Sequence, residues 1–229
     1  MRTLRALRGS QRPLELVLVV VTFVTGMVDA VTYLGFGHVF AANMTGNVIV
    51  LGFALVGAGE ISATASVVSL AAFMAGAAVS ARLSGALQPT RHRWLLTMLG
   101  LETALLSTAA ALALEQRADS RGLIIVGLLA VAMGMRTVTV RRLGISDVST
   151  TVLTSTLAGL ASDTLLRGAP FRTGGVRLII VAAMMLGAAS GAVLLGGGAA
   201  QVLGVCAGLV LTLTIVYVVG LWRFRGPFS

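Results

Sequence analysis

Charge is what this chain has least of. Only 11% of its 229 residues are Asp, Glu, Lys or Arg, against about 25% in soluble domains. There is no lysine, so all 17 basic residues are arginine. A single cysteine, Cys206, excludes an intrachain disulfide and any Cys-x-x-Cys metal site. The two histidines, His38 and His92, lie far apart and have no ligand spacing. No HExxH, GxSxG or P-loop motif is present, so neither an enzyme, a cofactor nor a bound metal is expected. In place of charge there is apolar mass: 57% hydrophobic residues and 28 glycines, with a mean hydropathy of +0.97. A soluble fold of this length needs a charged coat that these residues cannot make. The expectation is an all-α membrane protein forming one integral domain over residues 1–229, with the lipid bilayer as its main partner. The net charge of +9 does not point to nucleic acid, because the arginines lie between apolar runs and not on one face; it reads as the positive-inside bias.

Hydropathy divides the chain into Leu14–Phe36, Val39–Ala58, Ile61–Leu83, Trp94–Leu114, Gly122–Val140, Asp147–Leu166, Leu178–Gly196 and Ala200–Trp222. The first run follows Arg2, Arg5, Arg8 and Arg12 as in a signal peptide, but its length suits a full span. The second and sixth runs are unusually polar. Asn43, Thr45 and Asn47 crowd one, and Ser149, Thr150, Thr151, Thr154, Ser155, Thr156 and Asp163 crowd the other. Irregular backbone at membrane depth persists only inside protein or beside a wet cavity.

Those two runs occupy matching places in an internal repeat, residues 14–114 and 122–222. Gly26-Met27 recurs as Gly134-Met135, Leu34-Gly35 as Leu143-Gly144, and Thr45 as Thr154. Ala71–Ala81 aligns with Ala182–Ala192 at seven identities in eleven. Counting arginines tests the topology. Eight full spans would place eleven inside and five outside. If the second and sixth runs enter and leave on one side, fourteen lie inside and only Arg117 and Arg121 outside. The bias favours six spans and two re-entrant elements, with both termini cytoplasmic. Three spans per half is odd, so the halves would be inverted repeats, a pattern of many transporters; the alternative is eight spans in parallel repeats.

Several residues are candidates for function on this reading. Asp29 is an acid inside the first span, with Tyr33 following it. Asn43, Thr45, Gly46 and Asn47 form one polar tip, and Thr151, Thr154 and Thr156 the other. Arg136 lies near the place in the second half that corresponds to Asp29, so an Asp29–Arg136 pair is one arrangement, each charge lowering the other's burial cost. Glu102 reads either as a proton carrier or as a structural ion-pair partner. Asp147 reads as a helix N-cap, and Arg91, His92 and Arg93 as interfacial anchors. Ala72, Gly76, Ser80 and Ser84, echoed by Ala183, Gly187 and Gly191, form a small-residue stripe suited to close helix contact.

Gly26-Met27-Val28-Asp29-Ala30, Tyr33-Leu34-Gly35, Phe40 and Met44-Thr45-Gly46-Asn47 resemble the first signature block of the YoaK-like family of bacterial membrane proteins. Arg142-Leu143-Gly144-Ile145, Asp147-Val148 and Thr150-Thr151-Val152-Leu153-Thr154 are similar to its second. Members often carry asparagine where Thr137 stands here. The resemblance implies a multi-pass protein of the bacterial cytoplasmic membrane and supplies no substrate. The expectation from the residues is a transporter or channel for a small solute or ion, open to homo-oligomerisation. The alternative is a non-transporting scaffold or sensor.

Overall fold

A computed structural model describes residues 2–58, 62–87, 90–115, 119–142 and 171–224. Its helices are α1 (Arg2–Gly35), α2 (Met44–Leu55), α3 (Ala63–Leu87), α4 (Arg91–Leu114), α5 (Asp119–Arg142), α6 (Phe171–Leu194) and α7 (Ala199–Phe224). A 3-10 turn, Leu195–Gly197, joins the last two. All but α2 are long and apolar enough to cross a bilayer. In lipid a helix satisfies its own backbone, which is why runs rich in Ala, Leu, Val and Met fold this way. The expected segment Asp147–Leu166 lies outside the described residues.

Contacts along the helices fix their directions. Phe36, beyond the end of α1, lies 3.2 Å from where a methyl on Gly122, early in α5, would sit. Arg136, late in α5, reaches Val21 in the middle of α1. These two helices are therefore antiparallel. Arg142 at the end of α5 covers Trp94 near the start of α4, and His92 of α4 meets Tyr217 of α7, making both of those pairs antiparallel too. By contrast α6 runs parallel to α1, and α3 parallel to α5. Thus α1, α4 and α6 point one way, and α3, α5 and α7 the other. Each helix of the second set α5, α6, α7 opposes its counterpart by order in α1, α3, α4.

The two parallel pairs are the main packing interfaces, and both are built on glycine. On α6, a methyl at Gly187 would run into the carbonyl of Phe23, while one at Gly26 of α1 would stand 2.7 Å from the Ala188 nitrogen. On α3, a methyl at Gly76 would run into the carbonyl of Val131, and one at Gly134 of α5 would stand 3.0 Å from the Ala77 nitrogen. Gly26 and Gly134 are aligned in sequence, as are Gly76 and Gly187, so the same reciprocal crossing occurs twice. Helices that gain nothing from leaving water associate through such close backbone approach. Around these contacts Val24, Val28, Val31, Leu106, Leu129, Val202, Leu203 and Val210 form a fully buried core.

The stretch between α1 and α3 does not cross. α2 has 12 residues, about 18 Å of helix against a hydrocarbon core of about 30 Å. A methyl on Gly37, just past α1, would stand 3.3 Å from the side chain of Ser62, just before α3. The chain thus leaves and returns on one face. Between these points it turns through Gly37 and His38, both with positive φ (84° and 58°), and dips as an irregular segment to Asn43 before α2 begins. The end of α5 and the start of α6 lie on the opposite face. That face carries Arg91, Arg93, Arg141 and Arg142, all exposed, whereas the face of α2 has Arg121, ion-paired with Glu115.

Candidate functional site

Two polar centres stand out inside the bundle. The first holds the dipping segment in place. Asp29 lies six residues before the end of α1, about 9 Å below it. One of its carboxylate oxygens accepts hydrogen bonds from the backbone N–H groups of Ala41 (3.0 Å) and Ala42 (2.8 Å). A non-helical segment without a neighbouring strand has unsatisfied amides, and a buried carboxylate is a strong acceptor for them. Asn47, fully buried on α2, does the same for Phe40. Its Oδ1 accepts from the Phe40 N–H at 2.8 Å and its Nδ2 donates to the Phe40 carbonyl at 2.6 Å. Ser69 of α3 donates to that carbonyl at 2.6 Å and accepts from Asn47 at 3.0 Å. Asn43 caps α2 by accepting from Gly46 N–H, and a methyl on Gly46 would meet the Phe40 ring at 2.9 Å.

At the mouth of this element three rings gather. Tyr33 stacks on Phe40 with centroids 4.8 Å apart, and meets His38 edge-on at 5.2 Å. Of the first-half candidates, Tyr33 and Thr45 are exposed, Asn43 and Gly46 partly buried, and Asp29 and Asn47 buried. Thr151, Thr154 and Thr156 lie outside the described residues.

The second centre is a charge pair between α4 and α5. Arg136 grips Glu102 with two parallel contacts, Nε to Oε2 at 3.1 Å and Nη2 to Oε1. Its Nη1 donates to the Val21 carbonyl at 2.6 Å and to the Thr25 hydroxyl of α1. Both charged residues are buried, at 4% exposure for Glu102 and 9% for Arg136. The Asp29–Arg136 pairing considered from sequence is therefore not the one made: the acid facing Arg136 is Glu102, and Asp29 holds amides. Glu102 takes the ion-pair role, one of its two sequence readings. Position in the α4–α5 hairpin was the available signal. Counted from the turn, Glu102 and Arg136 stand at roughly similar depth, and the long arginine side chain closes the remainder. Ser69 had no such signal among the other small residues of α3.

Among the described residues no group of three or more His, Cys, Asp or Glu could hold a metal. The small-residue stripe on α3 faces α5: Gly76, Ser80 and Ser84 are buried, and the Ser80 hydroxyl donates to the Met135 carbonyl at 3.3 Å.

A buried helical bundle with these polar blocks can be set against known proteins. Residues 17–216 match the family described as protein of unknown function DUF1275. The chain belongs to that family. It is similar to the UPF0700 transmembrane protein YoaK of Bacillus subtilis (strain 168), with 36% identity over 139 residues, covering 60% of this chain and 61% of that protein. The match thus spans about three-fifths of the relative's length. No solved structure matches. With six helices long and apolar enough to cross a bilayer, the chain is a multi-pass membrane protein of a family described as of unknown function.

Proposed function

We propose that the protein moves a small solute or ion across a bacterial cytoplasmic membrane, and that its two halves are inverted repeats. The observation that supports this most is the opposed direction of the two sets of three spans, joined to an element that dips from one face to the depth of a buried carboxylate. Transporters of this plan bring two broken elements toward the midplane from opposite faces. Here Asp29, Tyr33, Asn43, Thr45, Gly46 and Asn47 belong to one, and Thr151, Thr154 and Thr156 to the other, with Arg136 as the fixed positive charge beside the path. The arginine-rich face is cytoplasmic on this reading, together with both termini.

Flux of a panel of labelled solutes and ions into liposomes carrying the purified protein tests the proposal. Uptake of at least one, reduced by Thr45→Val, is the expected result; no flux for any would end the reading. Topology is tested separately in a Cys206→Ser background. Cysteine at Ser120 should react from outside and cysteine at Pro89 only after lysis; the reverse would remove the inverted repeat.

A non-transporting scaffold or sensor is the second reading. It is favoured by the way Asp29 and Asn47 bind the protein's own backbone. A scaffold would pass no solute in the same liposomes, yet would still need its glycine contacts.

A further inference from the structure

The Glu102–Arg136 pair differs from the polar contacts that hold the dipping segment. Asp29 and Asn47, the latter together with Ser69, supply partners to non-helical backbone. Neither Glu102 nor Arg136 does so, because the Val21 carbonyl that Arg136 touches already accepts from Thr25 at 2.7 Å. Helix packing does not need the charges either. On the repeat reading the residues that correspond to Arg136 and Glu102 are Val28 and Leu213, both apolar. Replacing a buried ion pair by hydrophobic residues is commonly neutral or stabilising, so two regular helices with apolar residues at the corresponding places of the repeat have no structural need for the pair.

The two partners are held unequally. Arg136 is anchored to α1 by Val21 and Thr25 as well as to Glu102. Among the described residues, Arg136 is the one hydrogen-bond partner of Glu102. If Glu102 swings away, the guanidinium remains in place with its fork open. Beside the pair lies a cavity of about 20 Å³, room for a single water, walled mostly by apolar side chains of α1, α4 and α5 such as Val17, Leu18, Leu95 and Met98, with Thr139, whose hydroxyl is committed to the Met135 carbonyl. An apolar wall next to an open arginine fork suits a small trigonal monoanion, which can take both fork contacts as a carboxylate does.

We propose that Arg136 is an anion site in which Glu102 is the resident ligand, exchanged for a short monocarboxylate or similar planar monoanion with uptake of one proton by Glu102. The proton is required by charge balance. An anion entering the pair adds one negative charge to a low-dielectric site. Arginine cannot change its charge, so Glu102 must become the neutral acid as its oxygens leave the guanidinium. One proton enters from water, no covalent bond other than that O–H forms, and the net charge of the site stays at zero. Other ionisable groups facing this region are Asp29 of α1, committed to two amides, and Cys206, buried on α7; Arg82 of α3 and Arg141 and Arg142 of α5 are exposed toward the arginine-rich face. As an account of what is transported, the inference rests on the transport reading; as a binding site it does not.

Nitrate is the probe of choice, because it has the shape of a carboxylate and does not itself take up protons near neutral pH; formate is the carboxylate comparison. Calorimetry of the purified full-length protein in two buffers of different ionisation enthalpy should show one proton taken up per nitrate bound. The affinity should rise about tenfold for each unit of pH lowered. Glu102→Gln should bind nitrate with no proton uptake and no such slope. If that variant does not fold, the proton count for the parent protein decides. Failure of both nitrate and formate to bind, or binding without proton uptake, overturns the proposal. Nitrate binding without flux in liposomes would sink the transport reading and leave the site standing. Flux of another solute without nitrate binding would do the reverse.

Discussion

The dipping segment after α1 and the α4–α5 charge pair handle polarity in opposite ways. In the first, side chains substitute for missing backbone partners: Asp29 for Ala41 and Ala42, Asn47 and Ser69 for Phe40. In the second, two side chains neutralise each other across two regular helices whose backbones need nothing. The first arrangement is the consequence of bending a chain inside a membrane. The second follows from no feature of the fold. Burial alone, similar in the two, therefore does not mark a site; what distinguishes them is whether the polar group completes the backbone around it.

Substitutions can separate these regions from the glycine framework that holds both. Gly187→Leu and Gly76→Leu should have the largest effect, because the atom opposite each glycine is backbone carbonyl and cannot yield. The expected result is loss of monodisperse protein on size exclusion. Glu102→Ala comes next: it leaves a buried guanidinium unpaired, at a cost of about 3–5 kcal/mol, seen as a large fall in Tm. Combining Glu102→Leu with Arg136→Met should recover near-parental Tm while removing nitrate binding. If the double variant remains as unstable as Glu102→Ala, the pair is structural and the contrast fails.

Asp29→Ala orphans two buried N–H groups, each worth about 1–3 kcal/mol. Its signature should be local, with faster hydrogen exchange at Ala41 and Ala42 and little change in α4 and α5. Asn47→Ala should be milder, because Ser69 still serves the Phe40 carbonyl and only the Phe40 N–H loses its partner. Thr45→Ala, at an exposed position, should change stability by less than about 0.5 kcal/mol. A loss of flux there at unchanged Tm would assign Thr45 to the path.

The spans were readable from sequence because hydropathy is a property of a whole segment, and six of them appear close to their expected limits. The polar second segment was readable as irregular for the same reason. Its interior was less so: Val39–Ala58 is an irregular segment to Asn43 followed by a 12-residue helix, because Asp29 and Asn47 supply the hydrogen bonds that a longer helix would have made for itself. Partnership was the part that composition could not carry. Asp29 and Arg136 stand at related places in the sequence alignment of the two halves, yet which acid meets the arginine depends on how the helices are rotated and staggered. Gly26, Gly76, Gly134 and Gly187 were visible as small residues, but their reciprocal contact required knowing that α1 lies on α6 and α3 on α5.

That exchange of partners bears on how the protein is made. The first helix of each half packs on the second spanning helix of the other half, so neither half closes its own glycine notch. During synthesis α1 enters the membrane long before α6 has left the ribosome and waits there with Gly26 facing lipid. Assembly is therefore completed late, when α6 arrives, and a ribosome stalled before that point would leave an unpaired first span for membrane quality control to find.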